Sequence, residues 1–225
     1  MPTQARLEPL KSGNLRSQVV SALKHAILSG RFNPGDPIRE VHVGAELGVS
    51  QNTVREALLQ LEQLGLVVRN TNRNTVVTKL SHRDIEELVS VRLLLEPKAF
   101  CLAANTISSA DIDALRTEIR ELAHAASTGA AFDACQSDLR FHRQVWQHSG
   151  HRALAAALER TILPLFAFVS LVRNRRAENL DIVPAQHQDL VRALESRNPR
   201  LIAERVRSHI VNAYGEFIRP DSELL

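Results

Sequence analysis

Apolar residues recur at helical spacing along most of this chain, and the breaks fall at Gly and Pro. The first stripe is Leu15, Val19, Leu23, Ala26 and Ile27, over Leu15–Ser29, and Gly30 closes it. Phe32-Asn33-Pro34-Gly35-Asp36-Pro37 reads as a turn, because Pro-Gly and Asp-Pro interrupt both helix and strand. Val43–Leu66 then reads as the end of a short helix, a Gly48-Val49-Ser50 turn and a second helix carrying Val54, Leu58, Leu61 and Leu64 on one face. Ser50 is the expected N-cap and Gly65 the expected residue just past the C-terminus. Leu66–Arg69 and Thr75–Thr78 are β-branched runs on either side of Asn70–Asn74, which predicts a β-hairpin.

From residue 81 onward the pattern is helical throughout. Ser81 caps a helix over Asp84–Ala104 with Ile85, Leu88, Val91, Leu95 and Leu102 along one face, and Pro97 inside it predicts a kink. Ser109 or Asp111 opens a helix to about Ser127, ended by Gly129. Further helices cover about Phe132–His148, Ala153–Arg173 with an internal Pro164, Val183–Ser196, and Pro199 to about Phe217. Residues 1–14 form a loose arm. The predicted fold is mainly α, a winged helix-turn-helix over residues 1–80 followed by an antiparallel six-helix bundle over residues 81–225.

A helix-turn-helix lays its second helix in the DNA major groove and reads bases with the N-terminal residues of that helix. Here those residues are Gln51, Asn52, Thr53 and Arg55. Gln and Asn suit adenine edges, and Arg suits guanine or phosphate. The hairpin beside them reads as a wing whose tip residue Arg73 reaches the adjacent minor groove. The bland alternative is an ordinary helical hairpin with a solvated tip. Charge favours the DNA reading. Residues 1–80 hold 10 Lys and Arg against 6 Asp and Glu, whereas residues 81–225 hold 18 against 19.

The order of several blocks resembles the winged helix-turn-helix of GntR-family bacterial transcription regulators. These blocks are Leu28-Ser29-Gly30-Arg31-Phe32-Asn33-Pro34-Gly35, Glu46-Leu47-Gly48-Val49-Ser50, Val54-Arg55-Glu56-Ala57-Leu58 and Leu61-Glu62-Gln63-Leu64-Gly65-Leu66-Val67. The resemblance spans roughly residues 15–80. Two departures stand out. Gln51-Asn52-Thr53 replaces the usual Arg-Thr-Pro, which removes a guanine or phosphate contact. Asn74 replaces a wing glycine, and Asn tolerates the left-handed backbone that Gly supplies.

In the helical part, polar residues fall on faces that otherwise point inward. Asp138 and His142 are one turn apart. His187 lies in the stripe Val183, Leu190, Val191, Leu194, and His209 in the stripe Ile202, Val206, Ile210, Ala213. An inward histidine is commonly a satisfied core residue. One carboxylate and three imidazoles on converging helices also suit a divalent cation, which would remove the cost of burying them unpaired. Asp138-Leu139-Arg140-Phe141-His142, His187 ahead of Leu190-Val191-Arg192-Ala193-Leu194, and the late His209 are similar to the all-helical effector domain of the FadR branch of GntR regulators, with the six-helix count of its VanR-like type. That resemblance implies a divalent ion, zinc or nickel, held by Asp138, His142, His187 and His209, with a small carboxylate completing its coordination. It also implies an effector anchor at Arg92, whose fork matches a carboxylate; the alternative is a structural pair with Glu96, one turn on. Asn212, three residues after His209, is a further pocket candidate.

Two cysteines, Cys101 and Cys135, are too few for a disulfide framework, lack metal-type spacing and predict buried free thiols. There is no apolar leader and no 18-residue apolar run, which predicts a cytoplasmic chain with no membrane partner. The expectation is a homodimeric regulator, a repressor, on a pseudo-palindromic double-stranded operator, governed by a small organic acid at a metal site. The alternative is a metal-responsive regulator in which the ion is the signal. An all-α metalloenzyme is the rival from another class, but no general base accompanies the ligands and the winged domain would stand idle.

Overall fold

The computed structural model describes residues 13–69, 74–176 and 182–218. Residues 1–12 of the arm expected over residues 1–14, and the wing tip with Arg73, lie outside the described residues, and Gly13 and Asn14 already belong to the first helix. The N-terminal part runs α1 (Gly13–Leu28), β1 (Pro37–Ile38), α2 (Glu40–Leu47), α3 (Gln51–Gln63), β2 (Val67–Arg69) and β3 (Thr75–Val77). The hairpin expectation needs enlarging. The sheet has three antiparallel strands in the order β1-β3-β2, with Val67 opposite Val77 and Pro37 opposite Val76. The Pro37 region was expected only to turn. A proline is tolerated as the first residue of an edge strand, where it removes no ladder bond. Gly35 N–H donates to Val77 O at 2.9 Å, Val77 N–H donates to Asp36 O at 3.0 Å, and Ile38 is buried.

The turn between α2 and α3 follows from its residues. Gly48 ends α2 at φ 65°, a left-handed conformation open to glycine. Ser50 Oγ accepts the Thr53 N–H at 3.1 Å and so starts α3. At the far end of α3, Gly65 N–H donates to Glu62 O and Leu66 N–H donates to Leu61 O. This is a Schellman closure, with the two leucines both buried.

The bundle comprises α4 (His82–Ala103), α5 (Ser109–Ser127), α6 (Ala131–His148), α7 (Arg152–Arg176), α8 (Val183–Ser196) and α9 (Pro199–Tyr214), with a short 3-10 turn at Gly215–Phe217. Six helices were expected and six are present among the described residues. Capping boxes start α4 at Ser81/Asp84 and α5 at Ser108/Asp111. The α5 cap is therefore Ser108, not Ser109 or Asp111.

The inward face of α4 also differs from expectation. It carries Ile85, Val89, Arg92, Glu96, Phe100 and Ala103, whereas Val91 is exposed and Leu88, Leu95 and Leu102 are only half-buried. Arg92 does face inward, with Glu96 beside it. These two neutralise each other, and α6, α7 and α9 close over them. Both cysteines are free but half-buried rather than buried.

Two apolar clusters organise the molecule. One fills the bundle and includes Phe100, Leu115, Phe141, Val145, Leu190 and Ile210. The other joins the reading head to the bundle, because Val54, Leu58 and Leu61 of α3 share it with Leu158, Ile162 and Leu163 of α7. Where these parts meet, a Cβ on Gly65 would lie 2.6 Å from Pro164 Cγ, and Gly65 has φ 73°. Gly65→Ala therefore combines a left-handed alanine with a collision against a proline ring. It is expected to lower stability by roughly 1–3 kcal/mol, read as a reduced midpoint in urea unfolding followed by circular dichroism; an unchanged midpoint would show that the contact yields freely.

Candidate functional site

α6 presents Asp138 and His142 one turn apart, α8 presents His187, and α9 presents His209. One ligand atom from each of the four lies within 4.8 Å of the others. His187 Nε2 is 2.8 Å from Asp138 Oδ1 and His142 Nε2 is 3.4 Å from the same oxygen. His209 Nε2 is 3.2 Å from His142 Nε2. The three histidines are buried, and the Asp138 side chain keeps 21% of its exposure.

The outer ring nitrogens explain the inward ones. His187 Nδ1 lies 2.9 Å from Val183 O, so it donates its N–H there and turns the Nε2 lone pair toward Asp138. His142 Nδ1 faces Glu96 Oε1 at 2.7 Å, which likewise leaves Nε2 pointing into the cluster. Lone pairs on His187 Nε2 and Asp138 Oδ1 at 2.8 Å repel unless a proton or a cation lies between them. The donor set, one carboxylate oxygen and three imidazole nitrogens, with the outer nitrogens of His187 and His142 facing Val183 O and Glu96 and that of His209 buried without a partner, fits a divalent cation.

Arg92 and Glu96 form the wall behind this cluster. Arg92 Nε donates to Glu96 Oε2 at 2.6 Å, and Arg92 NH1 donates to Tyr214 Oη at 3.0 Å. Trp146 Nε1 donates to Glu96 Oε1 at 3.1 Å. Arg92 NH2 is left 3.5 Å from His142 Nε2.

Burial alone would push the Glu96 carboxyl up, but the charges of Arg92 and His142 outweigh it and hold it well below the usual carboxylate range. Burial also opposes ionised Asp138, and its close contacts with His187 and His142 hold it well below the usual carboxylate range. Burial drives His209 well below its ordinary value, helped by the neighbouring cationic groups. Tyr214 is pushed up to about 12 by burial, against the pull of Arg92. The centre thus combines two ionised carboxylates, one fixed guanidinium and a neutral His209.

A cavity of about 50 Å³ opens beside the cluster. Its wall includes Arg92 of α4, Asp138 of α6, Phe166 and Arg173 of α7, and His209 and Tyr214 of α9. At about 10–15 Å³ for each water-sized group, it admits a small molecule and not a long chain. Asn212 does not reach it. That side chain is exposed, because the next two positions, Ala213 and Tyr214, are the ones α9 turns to the cavity. The helix expected to end at Arg173 runs on to Arg176 and places Arg173 on the cavity wall. Tyr214 is the sole tyrosine of the chain, and its position five residues past His209 was an available but unused clue.

On the reading head, Gln51, Asn52, Thr53 and Arg55 sit together on the first turns of α3. Each has an intramolecular partner. Thr53 Oγ1 meets Ser50 Oγ at 2.8 Å, and Asn52 Nδ2 donates to Glu56 Oε1 at 3.3 Å. Gln51 and Arg55 both donate to Glu40 of α2. Glu40, eleven residues before Gln51, had no sequence pattern to mark it. A concave surface joins Arg39, Glu40, Gln51, Arg55, Arg69 and Asn74.

Comparison with known proteins agrees with this division of labour. Residues 15–77 match the family described as bacterial regulatory proteins, gntR family, and residues 87–212 match the FCD domain. The chain is 31% identical over 198 residues to the probable D-xylose utilization operon transcriptional repressor of Paenarthrobacter nicotinovorans, covering 88% of this chain and 86% of that protein. It is 24% identical to the transcriptional repressor RspR of Escherichia coli K12, covering 93% and 91%. The solved structure of E. coli McbR/YncC superposes with a TM-score of 0.81 at 20% identity, over 91% of this chain and 97% of that one. With its reading head and its helical domain each matched in the same order, the chain belongs to the gntR family of bacterial transcription regulators, in the FadR-type branch that carries an FCD domain.

Proposed function

We propose that this regulator is a homodimeric repressor whose operator affinity is set by a small organic acid bound at a divalent metal in the bundle. The observation that carries this reading is the convergence of Asp138, His142, His187 and His209 within 4.8 Å, beside a cavity walled by Arg92. A bound ion, zinc or nickel, would act there as a Lewis acid that draws an anionic oxygen into its coordination sphere. The chain's own residues do the rest. Glu96 and the Val183 carbonyl hold two imidazoles in orientation from behind. Arg92 turns NH2 toward the cluster, where it favours a carboxylate. The cavity's volume limits the acid to a few heavy atoms. Residues 81–225 form this effector-binding and pairing unit.

Residues 1–80 read the DNA, with Gln51, Asn52, Thr53 and Arg55 at base edges and Arg73 in the minor groove. Two such heads suit a pseudo-palindromic operator. Two relatives described as repressors support the sign of regulation. A regulator of bacterial operator DNA works in the cytoplasm, and among the described residues no helix is long and apolar enough to cross a membrane.

Coupling runs along α7. Phe166 and Arg173 line the cavity, while Leu158, Ile162 and Leu163 of the same helix share a core with α3, and Pro164 abuts Gly65. A ligand changes operator affinity only if it prefers one arrangement of these parts.

The test is thermal stability against a panel of small carboxylates, with metal-loaded and chelated protein. A ligand that binds only the native state at a hundred times its Kd adds about 2.7 kcal/mol. An acid is expected to raise the melting temperature of the loaded protein alone, and His187→Ala is expected to abolish both metal uptake and the shift. A large shift from metal alone, with no response to any acid, would instead make the ion structural or make it the signal.

Arg92 serves both as wall and as anchor, so its loss should be felt without any effector. Arg92→Met leaves the buried Glu96 carboxylate without its guanidinium partner and is expected to cost about 3–5 kcal/mol in urea unfolding of the chelated protein. Unchanged stability would reduce Arg92 to a ligand contact alone.

A further inference from the structure

Glu40 opens α2 and faces the start of α3 across the turn. Its Oε2 accepts from Arg55 NH2 at 2.7 Å and from Gln51 Nε2 at 3.0 Å. Its Oε1 accepts from Arg55 Nε at 3.2 Å and lies 3.9 Å from Arg69 NH2 at the end of β2. The Glu40 side chain retains 13% exposure, whereas Arg55 retains 43%. One screened carboxylate therefore engages two reading side chains at once and reaches toward the wing strand.

The arrangement is more than a brace. The helix-turn-helix is already held by Val43, Val54, Leu58 and Leu61, all buried, and by the Ser50 cap. What Glu40 adds is direction. A two-point contact on Nε and NH2 fixes the guanidinium plane, so the remaining NH1 edge of Arg55 points away from the carboxylate. A Gln51 amide that donates through Nε2 turns its Oε1 outward, where it can accept from the amino groups of adenine or cytosine. The negative charge also sits within the concave face formed with Arg39, Arg55 and Arg69, where it opposes contact with phosphate of any sequence.

We propose that Glu40 is a specificity-determining residue of DNA reading, which holds Arg55 and Gln51 in one orientation for base edges and withholds Arg55 from indiscriminate phosphate contact. The inference rests on the reading that places Gln51 and Arg55 at the base edges. DNA must either accept the pre-set pair or displace it from Glu40. A correct half-site accepts it, whereas a random sequence meets the carboxylate with no compensating base contact.

The experiment uses full-length protein and two duplexes of equal length, one recovered by in vitro selection with the unmodified chain and one of random sequence. Binding is measured across a salt series. Glu40→Gln keeps the shape and removes the charge. It is expected to bind the random duplex at least threefold more tightly, to steepen the salt slope by about one, and to lower the selected-to-random affinity ratio tenfold or more. A ratio within twofold of the unmodified protein and an unchanged slope would overturn the proposal.

A readout that needs no folded variant is the guanidinium of Arg55 in the unmodified, ¹⁵N-arginine-labelled chain. Slow rotation about Nε–Cζ in the absence of DNA is expected, and free rotation would overturn the clamp. Arg55→Ala separates the two levels. If it leaves the affinity ratio intact, Arg55 does not read bases and both the reading and the inference fail. If it collapses the ratio while Glu40→Gln does not, only the role of Glu40 fails.

Discussion

Taking Arg92 and Glu96 out of water inside one apolar bundle carries a desolvation penalty of several kcal/mol per ion, and the arrangement of the helices follows from meeting it. Glu96 is the hub. It accepts from Arg92 on its own helix, accepts from Trp146 on α6, and faces His142 Nδ1. Arg92 continues the network to Tyr214 on α9. Apolar contacts alone would tolerate a helix sliding or rotating by a fraction of a turn. These hydrogen bonds do not, because each slip leaves a buried polar atom unpaired. The network thus sets the relative register of α4, α6 and α9, and with it the convergence of Asp138, His142 and His209. Stability of the bundle and geometry of the site are one problem with one solution.

One helix, α7, lines the cavity and also enters the core shared with the reading head. α7 contributes Phe166 and Arg173 to the cavity wall and Leu158, Ile162 and Leu163 to the core shared with α3. Between these stretches lies Pro164, seated against Gly65 just past the end of α3. Lys24 of α1 is drawn into the same junction, where burial and the nearby Arg143 lower its pKa, with the Glu159 charge opposing them. Packed interiors shift between discrete arrangements instead of deforming smoothly. On the proposed coupling, a small displacement of α7 at the cavity would therefore be passed on to the reading head.

The elements legible in the sequence were those governed by local chemistry. Ser50, Ser81 and Gly65 marked helix ends because capping is a matter of a few neighbouring residues. The cluster of Asp138, His142, His187 and His209 was legible because each lies on an apolar stripe whose inward direction the helical period reveals. What could not be read depended on distant partners. β1 is two residues long and begins with proline, so only its pairing with β3 makes it a strand. Arg92 does lie on the inner face of α4, but the apolar line expected along it is rotated, because Val91 is exposed and Leu88, Leu95 and Leu102 are half-buried while Glu96 joins Arg92 inside as a nearly neutral pair. Asn212 and Tyr214 traded places as pocket candidates, since a displacement of two residues rotates a helical side chain by about 200° at 3.6 residues per turn.

The two working regions share a physical device. At each, a carboxylate of the chain already occupies the cationic group that the proposed function assigns to an anion: Glu96 on Arg92 in the bundle, Glu40 on Arg55 in the reading head. Such a residue lowers affinity for anions in general, because the incoming charge meets a neutralised fork instead of a free one. It also fixes the fork's orientation, which lowers the entropy lost when the right partner arrives. The two cases differ in burial. Glu96 is sealed from water and cannot leave Arg92 without exposing two unpaired charges, so an acid must be recognised by the donors that remain. Glu40 holds an Arg55 that is still partly exposed, so DNA can compete for the fork directly. Burial therefore decides whether the built-in carboxylate is a permanent part of the binding surface or a competitor that the correct ligand displaces.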